Sequence, residues 1–231
     1  MNIVMIHGQN HKGSSYHVGS RIVDHIQGDK SVTEFFLPQD LPHFCVGCYR
    51  CIEDESNCPF YAEKRRILDA VEAADLLVFT TPTYCMRASA PMKAWMDLTF
   101  TYWMVHRPRA CMFRKRAVVV STAAGSGTKS AIKDVTNMLF NWGVPYVKSY
   151  GVRVQAMNWE QVSAKRKAEI EAAAVKLANT LSVDKKPRVG IKTKAWFAMM
   201  RLMQKAGWGS GEAEKAYWQA NGWLDKQRPW N

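Results

Sequence analysis

The stretch "NIVMIHGQNHKGSSYHVG", residues 2–19, combines an apolar run, a polar turn and the start of a helical pattern. Its opening run predicts a β-strand, because continuous apolar runs are typical of strands covered on both faces. The turn that follows contains glycine, glutamine, asparagine and serine, and it leads directly into the predicted helix. A strand, a polar turn and a helix N-terminus form an anion site, since the first N–H groups of a helix are free and its dipole favours negative charge.

The same alternation of strand and helix continues along the chain. Further strands are predicted from short β-branched or apolar runs at 32–37, 76–80, 117–121 and 146–154. Helices are predicted between and after these runs, at about 15–28, 60–74, 90–106, 127–142 and 158–181. Such alternation predicts βαβ units and a parallel sheet with helices on both faces. We therefore expect an α/β three-layer sandwich with a five-stranded parallel sheet, of flavodoxin-like size, over residues 1–182.

The sequence changes in character over residues 183–231. A linker is predicted at 184–192 and a helix at 193–207, and five of the nine tryptophans follow residue 183. The predicted helix places four large apolar side chains on one face: Trp196, Met199, Met200 and Met203. We expect a basic, tryptophan-rich C-terminal helical extension. Packing on the first domain or on a second subunit, contact with a membrane interface and coverage of the active site are all open interpretations of it.

The composition limits the classes of protein to which the chain can belong. The 231 residues carry a formal net charge of +12, with 47% hydrophobic and 23% charged residues, which is typical of a soluble globular protein. The N-terminus has no signal-peptide pattern, and no apolar run reaches the roughly 20 residues that a membrane span needs. We expect a cytoplasmic protein without an integral membrane segment. The positive charge is spread along the chain, which disfavours a nucleic-acid groove and favours anionic small molecules.

Two more turns follow predicted strands. "TPTYCM", residues 81–86, places a tyrosine beside a rigid proline, and this pair would form a wall for a flat ring. "STAAGSG", residues 121–127, has small side chains that would let a ligand approach the backbone. Because ligands of open α/β sheets bind outside the carboxyl ends of the strands, the three turns are expected to converge. Together they suit a mononucleotide with a planar head, although each turn alone is also explained by ordinary capping and packing.

These features resemble the flavodoxin-like, NAD(P)H-dependent FMN reductase family, which includes iron–sulfur flavoproteins. The resemblance covers about residues 1–181, and Gln9, Asn10 and His11 replace the usual Ser-Pro-Arg of its first turn. The segments that carry the resemblance are "GQNHKGSSY" (8–16), "PTY" (82–84) with Lys93 and Asp97 after it, "STAAGSG" (121–127), and Cys45, Gly47, Cys48 and Cys51.

The resemblance implies bound FMN, with its phosphate at residues 9–16 and its ring against 82–86 and 122–126. It also implies NAD(P)H as the hydride donor, a small-molecule electron acceptor such as a quinone or a flavin, and a homodimer or higher oligomer. No catalytic acid or base is needed for hydride transfer itself. The expected FMN-binding residues are Gln9, His11, Ser14, Ser15, Tyr16, Pro82, Thr83, Tyr84, Cys85, Met86, Thr122, Ala123, Ala124 and Gly125.

Four cysteines crowd into "FCVGCYRCIEDESNCP", residues 44–59, with the spacing C-x2-C-x2-C-x6-C-P. Short thiolate spacing of this kind is used by iron–sulfur clusters, and the resemblance implies a [4Fe–4S] cluster on Cys45, Cys48, Cys51 and Cys58. A structural zinc or no inorganic ligand at all are the alternatives. The acidic residues at 53–55 and the long last gap count against a cluster. An electron carrier to a protein partner is the corresponding alternative function.

Three further residues have two interpretations each. His106 would either donate a proton near the flavin or cap a helix end. Arg107 and Arg109 would either attract an NAD(P)H phosphate or lie in a solvated loop. Cys85 follows the Pro-x-Tyr turn and is expected to touch the flavin, in contrast to Cys111, which is expected to pack as a small hydrophobe.

Overall fold

The computed structural model describes residues 1–182, 187–208 and 211–231. Its strands are β1 Asn2–His7, β2 Ser31–Phe36, β3 Leu76–Tyr84, β4 Arg87–Ala88, β5 Arg116–Ala123 and β6 Tyr146–Arg153. Its α-helices are α1 Ser14–Asp24, α2 Leu37–Asp40, α3 Arg50–Glu53, α4 Tyr61–Ala73, α5 Ala90–Leu98, α6 Thr128–Trp142, α7 Ala164–Leu181, α8 Ile191–Ala206 and α9 Glu212–Ala220. Over the described ranges, none of these helices is long and apolar enough to cross a membrane.

Five strands form a parallel sheet in the order β2-β1-β3-β5-β6, and the two-residue β4 pairs antiparallel with the end of β3. This order is that of flavodoxin-like sheets, whose ligands bind at the carboxyl edge where the strand order reverses. The predicted five-stranded parallel sheet is thereby confirmed. The reversal lies between β1 and β3, which are hydrogen-bonded neighbours.

Helices cover both faces of the sheet, as the apolar runs predicted. On one face, α4, α5 and α6 pack over residues such as Ile6, Phe79 and Val119. On the other, α1 and α7 pack over the alternate strand residues, among them Met5 and Val120. The period of two along each strand divides its side chains between two cores, and the sheet is held from both sides.

The strand β3 continues four residues beyond the predicted end at Thr80. Pairing with β5 extends to Pro82, which lies opposite Thr122, and the short β4 pairs with Thr83 and Tyr84. The predicted Pro-x-Tyr turn is therefore strand. The turn itself falls on Cys85 and Met86, whose φ angles are +47° and +65°.

Three predicted helices have different ends in the structure. The helix predicted at 15–28 ends at Asp24. The helix predicted at 90–106 ends at Leu98, where the Thr99 hydroxyl donates to the Trp95 carbonyl at 2.7 Å and a 3₁₀ turn follows. The helix predicted from 158 begins at Ala164, because the Ser163 side chain accepts a hydrogen bond from the backbone N–H of Arg166 and caps the first turn.

The C-terminal extension forms a third core with the segment between α5 and β5. Met104 and Phe113 from that segment pack with Phe197 of α8 and Trp218 of α9. The predicted apolar face of the helix is partly wrong, because Trp196 and Met199 are exposed. The buried face consists of Thr193, Phe197, Met200 and Gln204. Residues 184–186 of the predicted linker lie outside the described residues.

Candidate functional site

A cavity of about 550 Å³ lies at the carboxyl edge of the sheet, where β1, β3, β5 and β6 end. Its walls include eleven of the residues that the sequence predicts as cofactor ligands: Gln9, His11, Ser14, Ser15, Tyr16, Pro82, Thr83, Tyr84, Thr122, Ala123 and Ala124. The parallel register brings these segments together from positions more than a hundred residues apart in sequence. The three predicted turns therefore converge.

The N-terminus of α1 forms one wall. Gly13 is the N-cap in an extended conformation, without a side-chain cap, so the first N–H groups of the helix point outward from it. Lys12 adds a positive charge, with its Nζ 5.0 Å from the centre of the Tyr16 ring. The Ser15 hydroxyl is buried and shares a hydrogen bond of 2.6 Å with the Thr122 hydroxyl at the end of β5. This wall is suited to an anion and is fixed to the neighbouring strand.

The first turn is pinned to the start of α5 by close contacts. The Gly8 N–H donates to the Thr80 carbonyl at 2.8 Å, and the Gly8 carbonyl accepts from the Ser89 hydroxyl at 2.8 Å. A Cβ atom on Gly8 would lie 2.4 Å from the Ser89 oxygen. Glycine is therefore required at this position by the close approach, and the turn cannot move away from the sheet edge without breaking both bonds.

His7 forms the floor of the cavity and was missed by sequence reasoning. Its ring is buried and stacks on Phe36 with 4.7 Å between ring centres. Its Nδ1 lies 2.8 Å from the Thr80 hydroxyl and its Nε2 lies 3.0 Å from a Glu34 carboxylate oxygen. Burial lowers the pKa of His7 below 6.5, and the opposing hydrogen bond and charge of Glu34 do not cancel this effect. A ring with hydrogen-bond partners at both nitrogens gives the floor a fixed shape.

The wall formed by β3 is joined to β5 by the hydroxyls of Thr83 and Ser121, which lie 2.9 Å apart. Tyr84, at the end of this strand, exposes about half of its surface beside the opening. Three predicted ligands lie elsewhere: Cys85, Met86 and Gly125 are absent from the cavity wall. Met86 packs instead beside Gly127, because the left-handed turn directs it away from the sheet edge.

The loop after β6 supplies a wall that the sequence analysis did not include. Trp159 stacks on His17 of α1 at 4.9 Å between ring centres, and burial lowers the pKa of His17. The guanidinium of Arg21 lies 5.3 Å from the Trp159 ring. The rule that placed the other turns at the sheet edge applies equally to the last strand and would have found this loop. The further lining residues are His7, Lys12, Gly13, Thr80, Val154, Ala156, Met157, Asn158, Trp159 and Glu160.

A second cavity, of about 390 Å³, contains all four clustered cysteines in its wall: Cys45, Cys48, Cys51 and Cys58. Cys45 and Cys48 are exposed and Cys51 is buried, and burial raises the pKa of the Cys51 thiol. Within the described ranges, no three His, Cys, Asp or Glu side chains are gathered closely enough to hold a metal ion. The four cysteine thiols are suitable metal ligands and line one cavity. In the described structure, however, they are not close enough together to form a metal site.

Two arginines hold the cysteine segment against the rest of the protein. The buried guanidinium of Arg107 donates to the carbonyl of Cys51, to that of Ile52 at 3.1 Å and to that of Glu53 at 3.3 Å. Arg109 pairs with Glu55 at 2.5 Å. The interpretation of these arginines as part of a solvated loop is wrong, since both side chains are enclosed and engaged with the segment at 51–55.

A family model described as NADPH-dependent FMN reductase matches residues 1–157. The chain belongs to this family. Among curated relatives of the reductase, an iron–sulfur flavoprotein of Clostridioides difficile strain 630 is 23% identical over 168 residues, covering 72% of each chain. An iron–sulfur flavoprotein of Methanocaldococcus jannaschii is 29% identical over 98 residues, which cover 40% of this chain and 47% of the relative.

Solved structures share the fold of the reductase. The apo form of an NADH:FMN oxidoreductase has a TM-score of 0.59 at 19% identity, with 84% of this chain and 98% of that chain covered. An FMN-dependent NADH-azoreductase of Bacillus anthracis, in complex with FMN, has a TM-score of 0.56 at 15% identity, with 77% and 99% covered. The predicted family, the flavodoxin-like fold and the assignment as an FMN-dependent oxidoreductase that uses NAD(P)H are confirmed.

The cavity at the carboxyl edge of the sheet fits FMN in its chemistry. The α1 N-terminus and Lys12 offer N–H groups and positive charge to a phosphate, and the β3 end offers Pro82 and Tyr84 to a flat ring. At the β5 end, Ala123 and Ala124 line the cavity with small side chains. The individual ligand assignments stay predictions.

His106 lies away from this cavity in the reductase. Its Nδ1 contacts a Glu214 carboxylate oxygen at 2.8 Å, and its backbone carbonyl accepts from the Trp218 indole N–H at 2.6 Å. His106 therefore ties the C-terminal extension to the first region, and a role as proton donor is not supported by its position. Cys111 packs partly buried against the core, as expected.

Proposed function

We propose that the cavity at the carboxyl edge of the sheet binds FMN and that the reductase passes electrons from NAD(P)H to a small acceptor such as a quinone or a flavin. The observation that carries this proposal is the convergence of an anion-binding helix N-terminus, an aromatic strand end and a small-residue strand end around one cavity. When bound there, FMN supplies the hydride chemistry.

The protein's own residues bind and orient. The N–H groups of the first turn of α1, the Ser14 and Ser15 hydroxyls and the Lys12 ammonium hold the phosphate end. Pro82 and Tyr84 limit the ring from one side. The backbone around Ala123 and Ala124 would supply N–H donors that stabilise negative charge developing on the ring. The buried Ser15–Thr122 hydrogen bond keeps the phosphate wall and the ring wall at a fixed separation.

The binding part of the proposal is tested by comparing FMN with riboflavin, which lacks the phosphate. Apo-protein titrated by flavin fluorescence should bind FMN more tightly than riboflavin. The variant Lys12→Gln should weaken FMN binding by about fivefold to tenfold, as expected for one charge-assisted contact, and leave riboflavin binding unchanged. Lys176→Gln on α7, which removes the same charge from another exposed position, is the control. Equal losses for both flavins would contradict the phosphate assignment.

The activity is tested by anaerobic titration of the FMN-loaded protein with NADPH and with NADH. We expect the visible absorbance of the oxidised flavin to disappear with one equivalent of nucleotide per flavin and to return when a quinone or free flavin is added. A flavin that neither nucleotide reduces would contradict the proposed enzyme and favour an electron carrier.

A second candidate function is supported by the cysteine cavity. Four cysteines in one wall, with the spacing of the sequence motif, provide the donor set that a [4Fe–4S] cluster requires, and the electron carrier to a protein partner would use it. Protein prepared without oxygen should then contain iron and acid-labile sulfide, and both should be lost in Cys51→Ser but retained in Cys111→Ser. Zinc, or no metal in anaerobically prepared protein, would remove this candidate.

A further inference from the structure

The helix α8 carries large apolar side chains on two faces, only one of which is buried inside the molecule. The buried face carries Phe197 and Met200 and packs into the third core. Because successive residues on a helix turn by about 100°, a second set of positions lies on the opposite side. This outward face consists of Ile191, Ala195, Ala198, Met199, Leu202 and Ala206, and all six are exposed.

The outward face is apolar along its whole length. Ile191 is 87% exposed at its start and Leu202 is 65% exposed in its last turns. Trp208, two residues beyond the helix, is 70% exposed. Scattered exposed apolar residues are normal on a protein surface, but a continuous stripe with a tryptophan at its end indicates a contact surface.

The charged residues that flank the stripe are all basic. Lys194 and Lys205 lie on one side and Lys192 on the other, and residues 187–208 include no Asp or Glu. The positions of two of these lysines are fixed by rings, with the Lys192 Nζ 4.9 Å from the Phe140 ring centre and the Lys194 Nζ 5.9 Å from that of Trp230. An apolar stripe with cations on both sides is complementary to a surface that has an apolar interior beneath an anionic outer layer.

We propose that α8 docks the reductase on an anionic lipid bilayer, lying in the plane of the interface with Ile191 and Leu202 inserted and the lysines at the headgroups. Interfacial helices combine an apolar face, flanking Lys or Arg and tryptophan in this way. The net charge of +12 adds attraction to an anionic membrane.

The test is flotation of the full-length protein with phosphatidylcholine vesicles, with and without phosphatidylglycerol. We expect binding only to vesicles that contain the anionic lipid, and weaker binding at high salt because the charges are screened. Each lysine near an anionic surface contributes about fivefold in affinity, so Lys194→Gln with Lys205→Gln should weaken binding by roughly thirtyfold. The matched control, Lys165→Gln with Lys176→Gln on α7, removes the same charge elsewhere and should retain most of the binding.

The apolar contribution is tested by Leu202→Glu, which should weaken vesicle binding by roughly tenfold or more. Val175→Glu, at an exposed position on α7, is its control and should have a much smaller effect. Reduction of the flavin by NADPH without vesicles should be unchanged in both variants, so failure of this proposal is separable from failure of the proposed function. Equal binding of both α7 and α8 variants, or binding without anionic lipid, would overturn it. So would a concentration-dependent dimer that Leu202→Glu alone dissociates, because the face would then bind a second copy.

Discussion

The proposed FMN cavity lies at the ends of parallel strands, whereas the cysteine cavity is lined mainly by the largely irregular segment between Leu41 and Tyr61. In the first, sheet register sets the distances between walls, and buried hydroxyl pairs such as Ser15 with Thr122 reinforce them. In the second, position depends on side chains from a distant segment, above all Arg107. A sheet edge carries a site that is shaped by the fold itself. A loop site of this kind keeps its shape only as long as its external anchors hold.

The strongest way to test this contrast is to remove the main anchor of the cysteine segment. Arg107→Ala should weaken the attachment of residues 51–53 by several kcal/mol, because it removes three hydrogen bonds from a charged group and each contributes about 1.5–3 kcal/mol. We expect Cys51 and Cys58 to react much faster with a thiol reagent, while the affinity for FMN stays unchanged. Arg114→Ala, which removes one exposed contact to a backbone carbonyl, is the control. A parallel loss of FMN affinity would show that the two cavities are coupled.

A second variant is expected to disturb the proposed FMN cavity and to leave the cysteine cavity unchanged. Gly127 has a φ of +97°, and a Cβ there would lie 2.7 Å from the Thr83 methyl and 3.1 Å from the Met86 backbone. Gly127→Ala should cost about 1–3 kcal/mol in backbone strain, displace the end of β3 and weaken FMN binding, without changing thiol reactivity. Urea unfolding and flavin titration measure the two effects. Gly125→Ala adds a Cβ with nothing within 4 Å and should behave as the wild type.

A smaller effect is expected from the buried hydroxyl pair. Ser15→Ala leaves the Thr122 hydroxyl without its partner, which should cost about 1–2 kcal/mol and weaken FMN binding by about tenfold. In a double-mutant cycle with Thr122→Val, the combined loss should be smaller than the sum of the single losses, since both changes remove the same bond. Strict additivity would show that this bond does not join the two walls.

The smallest expected effect concerns acid stability and His7. Burial lowers its pKa below the value of 6.5 that applies in the unfolded chain, so the unfolded state binds the proton more readily and stability falls as the pH drops below about 6.5. His7→Gln should reduce this loss between pH 7 and pH 5, measured by urea unfolding. Glu34→Gln should increase it, because Glu34 raises the pKa of His7. If the free energy of unfolding depends on pH in the same way in all three proteins, the lowered pKa of His7 is contradicted.

Much of the lining of the cavity at the sheet edge could be predicted because it depends on local sequence. Buried apolar runs mark parallel strands, and the polar residues after each run must meet at one edge. The errors lie where tertiary pairing decides the outcome. The end of β3 at Tyr84 depends on pairing with β5 and β4, which converts an apparent turn into strand. Cys85 and Met86, in the turn that follows, are not among the residues that line the cavity.

The sequence predicts the four cysteines that line the cysteine cavity, but it does not predict the residues that hold them in place. Arg107 finds its partners in backbone carbonyls more than fifty residues earlier in the chain, and no sequence pattern marks such a contact. The face that α8 buries was also beyond prediction, because both of its sides are apolar. The choice is made by Phe197, which fits between Trp218 and Phe113.

The third core has a consequence for the order in which the protein is made. Met104 and Phe113 are covered by Trp218 and Leu224, which follow them by about a hundred residues. At a synthesis rate of about 5–20 residues per second, on the order of ten seconds pass between the synthesis of Met104 and Phe113 and that of the residues that cover them. During that interval the nascent chain exposes an apolar surface that the completed chain buries. We expect ribosome-bound chains that end before α9 to recruit chaperones and full-length chains to release them.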